Sequence, residues 1–68
     1  MIDMVELGRR MMANAASIDD DTEFNHWARL GPMLINIGPK GINQLSIEEQ
    51  QVVARAMNKL NVTRDQIA

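Results

Sequence analysis

The sequence predicts an all-α protein. The expected architecture is a small bundle of three main helices, over about 2–16, 20–37 with a break near Pro32, and 46–60, followed by a short C-terminal helical turn. Three observations support it. Apolar residues recur at helical spacing in three segments. Helix-capping residues stand at the segment boundaries. The single strand-like run, "MLINI", has no second run to pair with. With 68 residues, the whole chain 1–68 is expected to form a single helical domain. A domain of this size buries only about 60% of the surface its unfolded chain exposes, so its stability is marginal. There is no Cys and one His, His26, so neither a disulfide nor a metal site of thiolates or imidazoles can reinforce the fold. No metal and no cofactor are expected, and association with itself or with another protein is the support that remains.

The first segment, "IDMVELGRRMMANAA", places Met4, Val5, Leu7, Gly8, Met11, Met12, Ala15 and Ala16 on one half of a helical wheel. Asp3, Glu6, Arg9, Arg10 and Asn14 fall on the other half, and Glu6 precedes Arg10 at the favourable four-residue spacing. The apolar arc spans roughly 180°, whereas an ordinary surface helix needs a stripe of about 100°. Two readings account for the excess. Either the helix packs between two others, or Met4, Leu7 and Met11 form a second stripe for another chain. Methionine suits the second role because its flexible thioether adapts to irregular surfaces. Gly8 costs about 1 kcal/mol relative to alanine in a helix interior, a cost that close backbone approach by a neighbour would justify.

In the second segment, "SIDDDTEFNHWARL", any of Asp19, Asp20 or Asp21 can cap the helix, with the remaining carboxylates favouring the positive end of its dipole. A calcium loop is not indicated, because the required Gly and Glu positions are absent. Phe24, Trp27, Ala28, Leu30 and Gly31 share one face, with Trp27 as a core residue, and Asn25, His26 and Arg29 share the other. Pro32 is tolerated in a first helical turn but breaks a helix interior, so the spacing predicts a kink at Gly31–Pro32 or a new short helix running to Ile37. "GPKG" is a turn in which Gly38 ends a helix and Pro39 prevents its restart.

The third helix opens on a capping box, Ser46–Ile47–Glu48–Glu49. Val52, Val53, Ala56, Met57 and Leu60 make its buried stripe, and Gln51, Arg55 and Lys59 line the outer side. Asn61 can take the left-handed conformation that closes it. Thr63 and Gln66 then form a second capping pair, and Val62 and Ile67 a hydrophobic staple. A single C-terminal turn is expected to fold back and plug the bundle with Val62 and Ile67.

The phrase "KLNVTRDQIA" resembles the middle of a helix-turn-helix DNA-binding motif over about eleven residues. Leu60, Val62, Thr63 and Ile67 match the usual apolar and capping positions, while Asn61 replaces the usual Gly and Met57 the usual small Ala. The resemblance implies a DNA-binding regulator working through residues 50–68, with Lys40, Arg55, Lys59 and Arg64 on phosphates. The reader helix of that motif must be long enough to lie in a groove. Here it has about five residues.

Charge does not favour nucleic acid. The net charge is −2, and residues 1–39 carry three arginines against six carboxylates. No run is apolar enough to span a membrane, and Met1–Ile2–Asp3 lacks the start of a signal peptide, so a cytoplasmic protein is expected. With one His, no Cys and no Tyr, the chain offers little for catalysis, and no small-molecule site is evident. The leading expectation is a non-enzymatic protein–protein interaction module: an adaptor, subunit or inhibitor of a larger protein, or a homodimer. Its size fits a phage- or plasmid-encoded regulator. The expected interface is Met4, Leu7 and Met11, rimmed by Arg10 or by the acidic segment Asp19, Asp20, Asp21 and Glu23, which could also imitate nucleic acid.

Overall fold

A computed structural model describes residues 2–38 and 43–67. Within them the order is α1 (Met4–Asn14), a 3₁₀ turn (Ala15–Ser17), α2 (Asp21–Ile37), α3 (Ile47–Lys59) and a second 3₁₀ turn (Arg64–Gln66). The fold is a small all-α bundle.

The helix boundaries follow from their caps. Asp3 adopts an extended conformation and its carboxylate accepts the Glu6 N–H at 2.8 Å, so α1 starts at Met4 rather than at Ile2. Ile2 is left extended and donates its N–H to the Gln66 carbonyl at 2.7 Å, forming a one-residue parallel bridge with Ile67. At the far end, the Ser17 hydroxyl donates to the Asn14 carbonyl at 2.7 Å as the helix tightens into the 3₁₀ turn. Of the three candidate aspartates it is Asp20 that caps α2, accepting the Glu23 N–H at 2.8 Å. Asp21 and Glu23 lie in the first turn, where the helix dipole favours negative charge.

The expected break near Pro32 is absent: α2 runs continuously from Asp21 to Ile37. Proline removes one N–H and leaves the carbonyl four residues earlier without its helical partner. Both Pro32 and Ala28 are exposed, so solvent can serve that carbonyl and the helix need not end. Gly38 then terminates α2 at φ 68°, with its N–H bonded to the Leu34 carbonyl. The rest of the expected "GPKG" turn lies outside the described residues.

α3 opens on the expected capping box. The Ser46 hydroxyl accepts the Glu49 N–H at 3.1 Å, and the Glu49 carboxylate accepts the Ser46 N–H at 2.9 Å. Asn61 sits at φ 58°, the left-handed conformation its position called for, and the Val62 N–H returns to the Met57 carbonyl at 2.8 Å. The Gln66 side chain accepts the Thr63 N–H at 2.9 Å, setting the final turn. Val62 is buried and Ile67 is half-buried against the core, so the turn folds back on the bundle as expected.

α1 and α2 cross antiparallel at a pair of glycines. A Cβ on Gly8 would stand 2.5 Å from the Gly31 carbonyl oxygen, and one on Gly31 would stand 2.6 Å from Met12 Cγ. The sequence cost of Gly8 thus has its reason: the two backbones touch there. On one side of this crossing lies the core. Met4, Leu7 and Met11 of α1 and Ala15 of the first 3₁₀ turn meet Trp27, Leu30 and Leu34 of α2 and Val52, Val53 and Ala56 of α3. No polar or charged residue is buried among the described residues, and the one polar side-chain atom left in the core without a hydrogen-bond partner is the Trp27 indole N–H. Two ion pairs tie α2 to α3. Arg55 forks onto Glu23 at 2.9 and 3.0 Å, and Arg29 reaches Glu49 at 3.4 Å.

Candidate interaction face

The helical wheel divides about the two glycines. On α1, Met4, Leu7 and Met11 lie to one side of Gly8, and Val5 and Met12, continued by Ala16 in the 3₁₀ turn, lie to the other. On α2, Trp27, Leu30 and Leu34 lie to one side of Gly31, and Phe24, Ala28 and Ile35 to the other. Because the helices cross antiparallel at these glycines, like sides point the same way. Burial follows this division. The first set of each helix is buried. In the second, Met12 is 49% exposed and Phe24 39%, Ala16 and Ala28 are exposed, and Val5 and Ile35 are half-buried.

The expected partner stripe is therefore corrected. Met4, Leu7 and Met11 are 2%, 0% and 0% exposed and form the core, so no second protein can reach them in this fold. The over-wide arc has two halves with two destinations. The half carrying Leu7 faces α2 and α3, and the half carrying Met12 faces outward. The outer half pairs with its counterpart on α2 to make one apolar face, Val5, Met12 and Ala16 beside Phe24, Ala28 and Ile35, on the side of the α1–α2 pair away from α3.

The expected rim residues are dispersed. Arg10 is paired with Glu6 at 3.4 Å on the polar side of α1, away from the apolar face. Asp19, Asp20 and Asp21 are exposed at the α1–α2 connection, but Asp20 is committed to its cap. Glu23 is turned toward α3 and engaged by Arg55. The hydrogen bond from that guanidinium holds the Glu23 carboxyl below its usual 4.5 and raises the pKa of Arg55. Glu49 is likewise lowered, first by the Ser46 backbone N–H. The acidic segment is thus partly structural, and Asp19 and Asp21 remain as its outward charges.

The residues expected to meet DNA do not converge either. Lys40 lies outside the described residues. Arg55 is spent on Glu23, and Lys59 is exposed at the end of α3. Arg64 belongs to a single 3₁₀ turn of three residues, which is too short to lie along a groove as a reader helix. It instead lines a concavity of about 630 Å³ together with the polar Asn43, Gln50 and Asn58 and the apolar Met4, Val53, Met57 and Ile67. Among the described residues no three His, Asp or Glu side chains sit close enough to share a metal ion, and no helix is long and apolar enough to cross a membrane.

Sequence reasoning missed the outer face, although five of its six residues stood in the two apolar arcs and the sixth, Ile35, in the "MLINI" run that follows the second. The signal that finds it is the glycine at the centre of each arc. A glycine there marks where two helix backbones touch and so divides each arc in two. Comparisons of the chain with protein-family models, with curated proteins and with solved structures found no match.

Proposed function

We propose that this chain is a small non-enzymatic interaction module, an adaptor, subunit or inhibitor that works by covering a surface on a larger protein, and that the outer α1–α2 face is its binding surface. One observation supports the reading above the others: the core is built without Met12 and Phe24, which with Ile47 on α3 are the large apolar side chains exposed among the described residues. Ala16 and Ala28 beside them leave room for close approach by a partner.

The test is Met12→Asp combined with Phe24→Asp. Both positions are exposed, so helicity and melting temperature should stay near those of the parent chain. Capture from a lysate of the native host should yield a stoichiometric protein with the parent chain, stable to nuclease and to raised salt, and none with the double variant. Equal capture by the double variant would place the interface elsewhere. Capture of nucleic acid alone, lost as salt rises, would return the chain to the helix-turn-helix reading.

A further inference from the structure

The α1–α2 pair has two apolar sides, and α3 shows how one of them is filled. α3 lays Val52, Val53 and Ala56 against the stripe of Trp27, Leu30 and Leu34. It also matches charge along its length, with Glu49 set against Arg29 and, six residues on, Arg55 set against Glu23. The outer side also carries a basic and an acidic position, and no other element among the described residues covers it. Arg9 is exposed at the α1 edge of the face, between Val5 and Met12, and has no ion-pair partner among the described residues. At the end of the face, beside Ala16 and Phe24, Asp19 and Asp21 are exposed. At about 1.5 Å per residue along α1 and about 2.0 Å along the 3₁₀ turn, Arg9 is roughly 14 Å from the start of the connection that leads to Asp19 and Asp21.

Resting on the reading of this face as the binding surface, we infer that its occupant is an amphipathic helix of another protein, arranged as α3 is. Its apolar stripe lies in the trough between α1 and α2, packing ridges into grooves on Met12, Phe24 and Ala28. A carboxylate of that helix stands over Arg9. A Lys or Arg about two to three turns away stands over Asp19 and Asp21. A uniformly basic helix leaves Arg9 opposed by like charge, and a uniformly acidic one is repelled at the α1–α2 connection.

A displayed library of eighteen-residue helical peptides tests this, with apolar residues fixed at α3's spacing and all other positions randomised. Peptides selected on the intact chain should bind the parent and fail to bind Met12→Asp with Phe24→Asp. They should carry an acid and a base separated by two to three turns. Arg9→Glu should weaken them roughly three- to tenfold, with the loss recovered when the peptide's acid is changed to Lys. Selected peptides that need Met12 and Phe24 but show no such charge order, or no rescue, overturn this inference and leave the binding face standing. Peptides indifferent to the double variant overturn both. A concentration-dependent dimer in sedimentation equilibrium, lost on Met12→Asp, puts a second copy on the face and overturns the inference of a foreign helix.

Discussion

Gly8→Ala sets helix propensity against packing, and the structure decides the sign. In an isolated helix the substitution gains about 1 kcal/mol. Here the new Cβ would lie 2.5 Å from the Gly31 carbonyl oxygen and 3.1 Å from both Ile35 Cγ1 and Leu34 Cβ. Ordinary contact begins near 3.4 Å, so α1 must move almost an ångström away from α2. The nearest obstacle is backbone and cannot rotate aside, and the shift loosens Met4, Leu7 and Met11 in the same core. Overpacking of this kind costs about 1–3 kcal/mol, and the upper end applies where backbone resists, so the net loss after the propensity gain is about 2 kcal/mol. At about 4–8 °C per kcal/mol for a domain of this size, the melting temperature should fall by about 8–16 °C. Thermal melts followed at 222 nm by circular dichroism measure it. Gly31→Ala is the internal comparison. Its closest obstacle is Met12 Cγ at 2.6 Å, part of a flexible exposed side chain, while the Gly8 carbonyl stands at 3.1 Å. It should cost less than Gly8→Ala. A melting temperature unchanged or raised by Gly8→Ala, or the opposite ranking of the two variants, would show that the helices do not touch at the glycines and would remove the division of faces drawn from them.

Two further outcomes separate core from surface and acid from base. Leu7→Ala should cost about 2–5 kcal/mol in urea unfolding, whereas Met12→Ala should stay within about 0.5 kcal/mol; similar values for the two would mean that α1 is rotated about its axis. Because Glu23 is held below 4.5 in the folded chain, its bond to Arg55 stabilises the fold at neutral pH, and that contribution is lost as pH falls below 4.5. Arg55 is half exposed, so solvent screening keeps the effect small; Glu23→Gln should lower stability at pH 7 and flatten its decline toward pH 3, and an unchanged decline would assign the acid sensitivity to other carboxylates.

The capping chemistry made most of the fold legible. Ser46 with Glu49, and Asn61 with the Thr63–Gln66 pair, act through bonds between residues close in sequence, and each appears in the structure where its spacing placed it. Pro32 misled because a broken hydrogen bond matters only where solvent cannot replace it, and exposure is a property of the fold. The arc of α1 misled for a related reason. Its width was readable, but which half meets the core depends on where α2 and α3 lie. One local asymmetry carried that information. The side holding Leu7, Trp27, Leu30 and Leu34 is bulky throughout, whereas the other side mixes Met12, Phe24 and Ile35 with the small Ala16 and Ala28. The Arg55–Glu23 pair, 32 residues apart, left no mark in any local pattern.

The bridge between Ile2 and Ile67 has a mechanical consequence. One backbone hydrogen bond, from the Ile2 N–H to the Gln66 carbonyl, ties the segment before α1 to the final 3₁₀ turn, with half-buried Ile67 beside it. A force drawn between those two positions falls first on that bond and on a three-residue turn. Tension therefore peels the chain open one contact at a time from its ends, and the glycine crossing and the Trp27 cluster bear load only after the ends have parted.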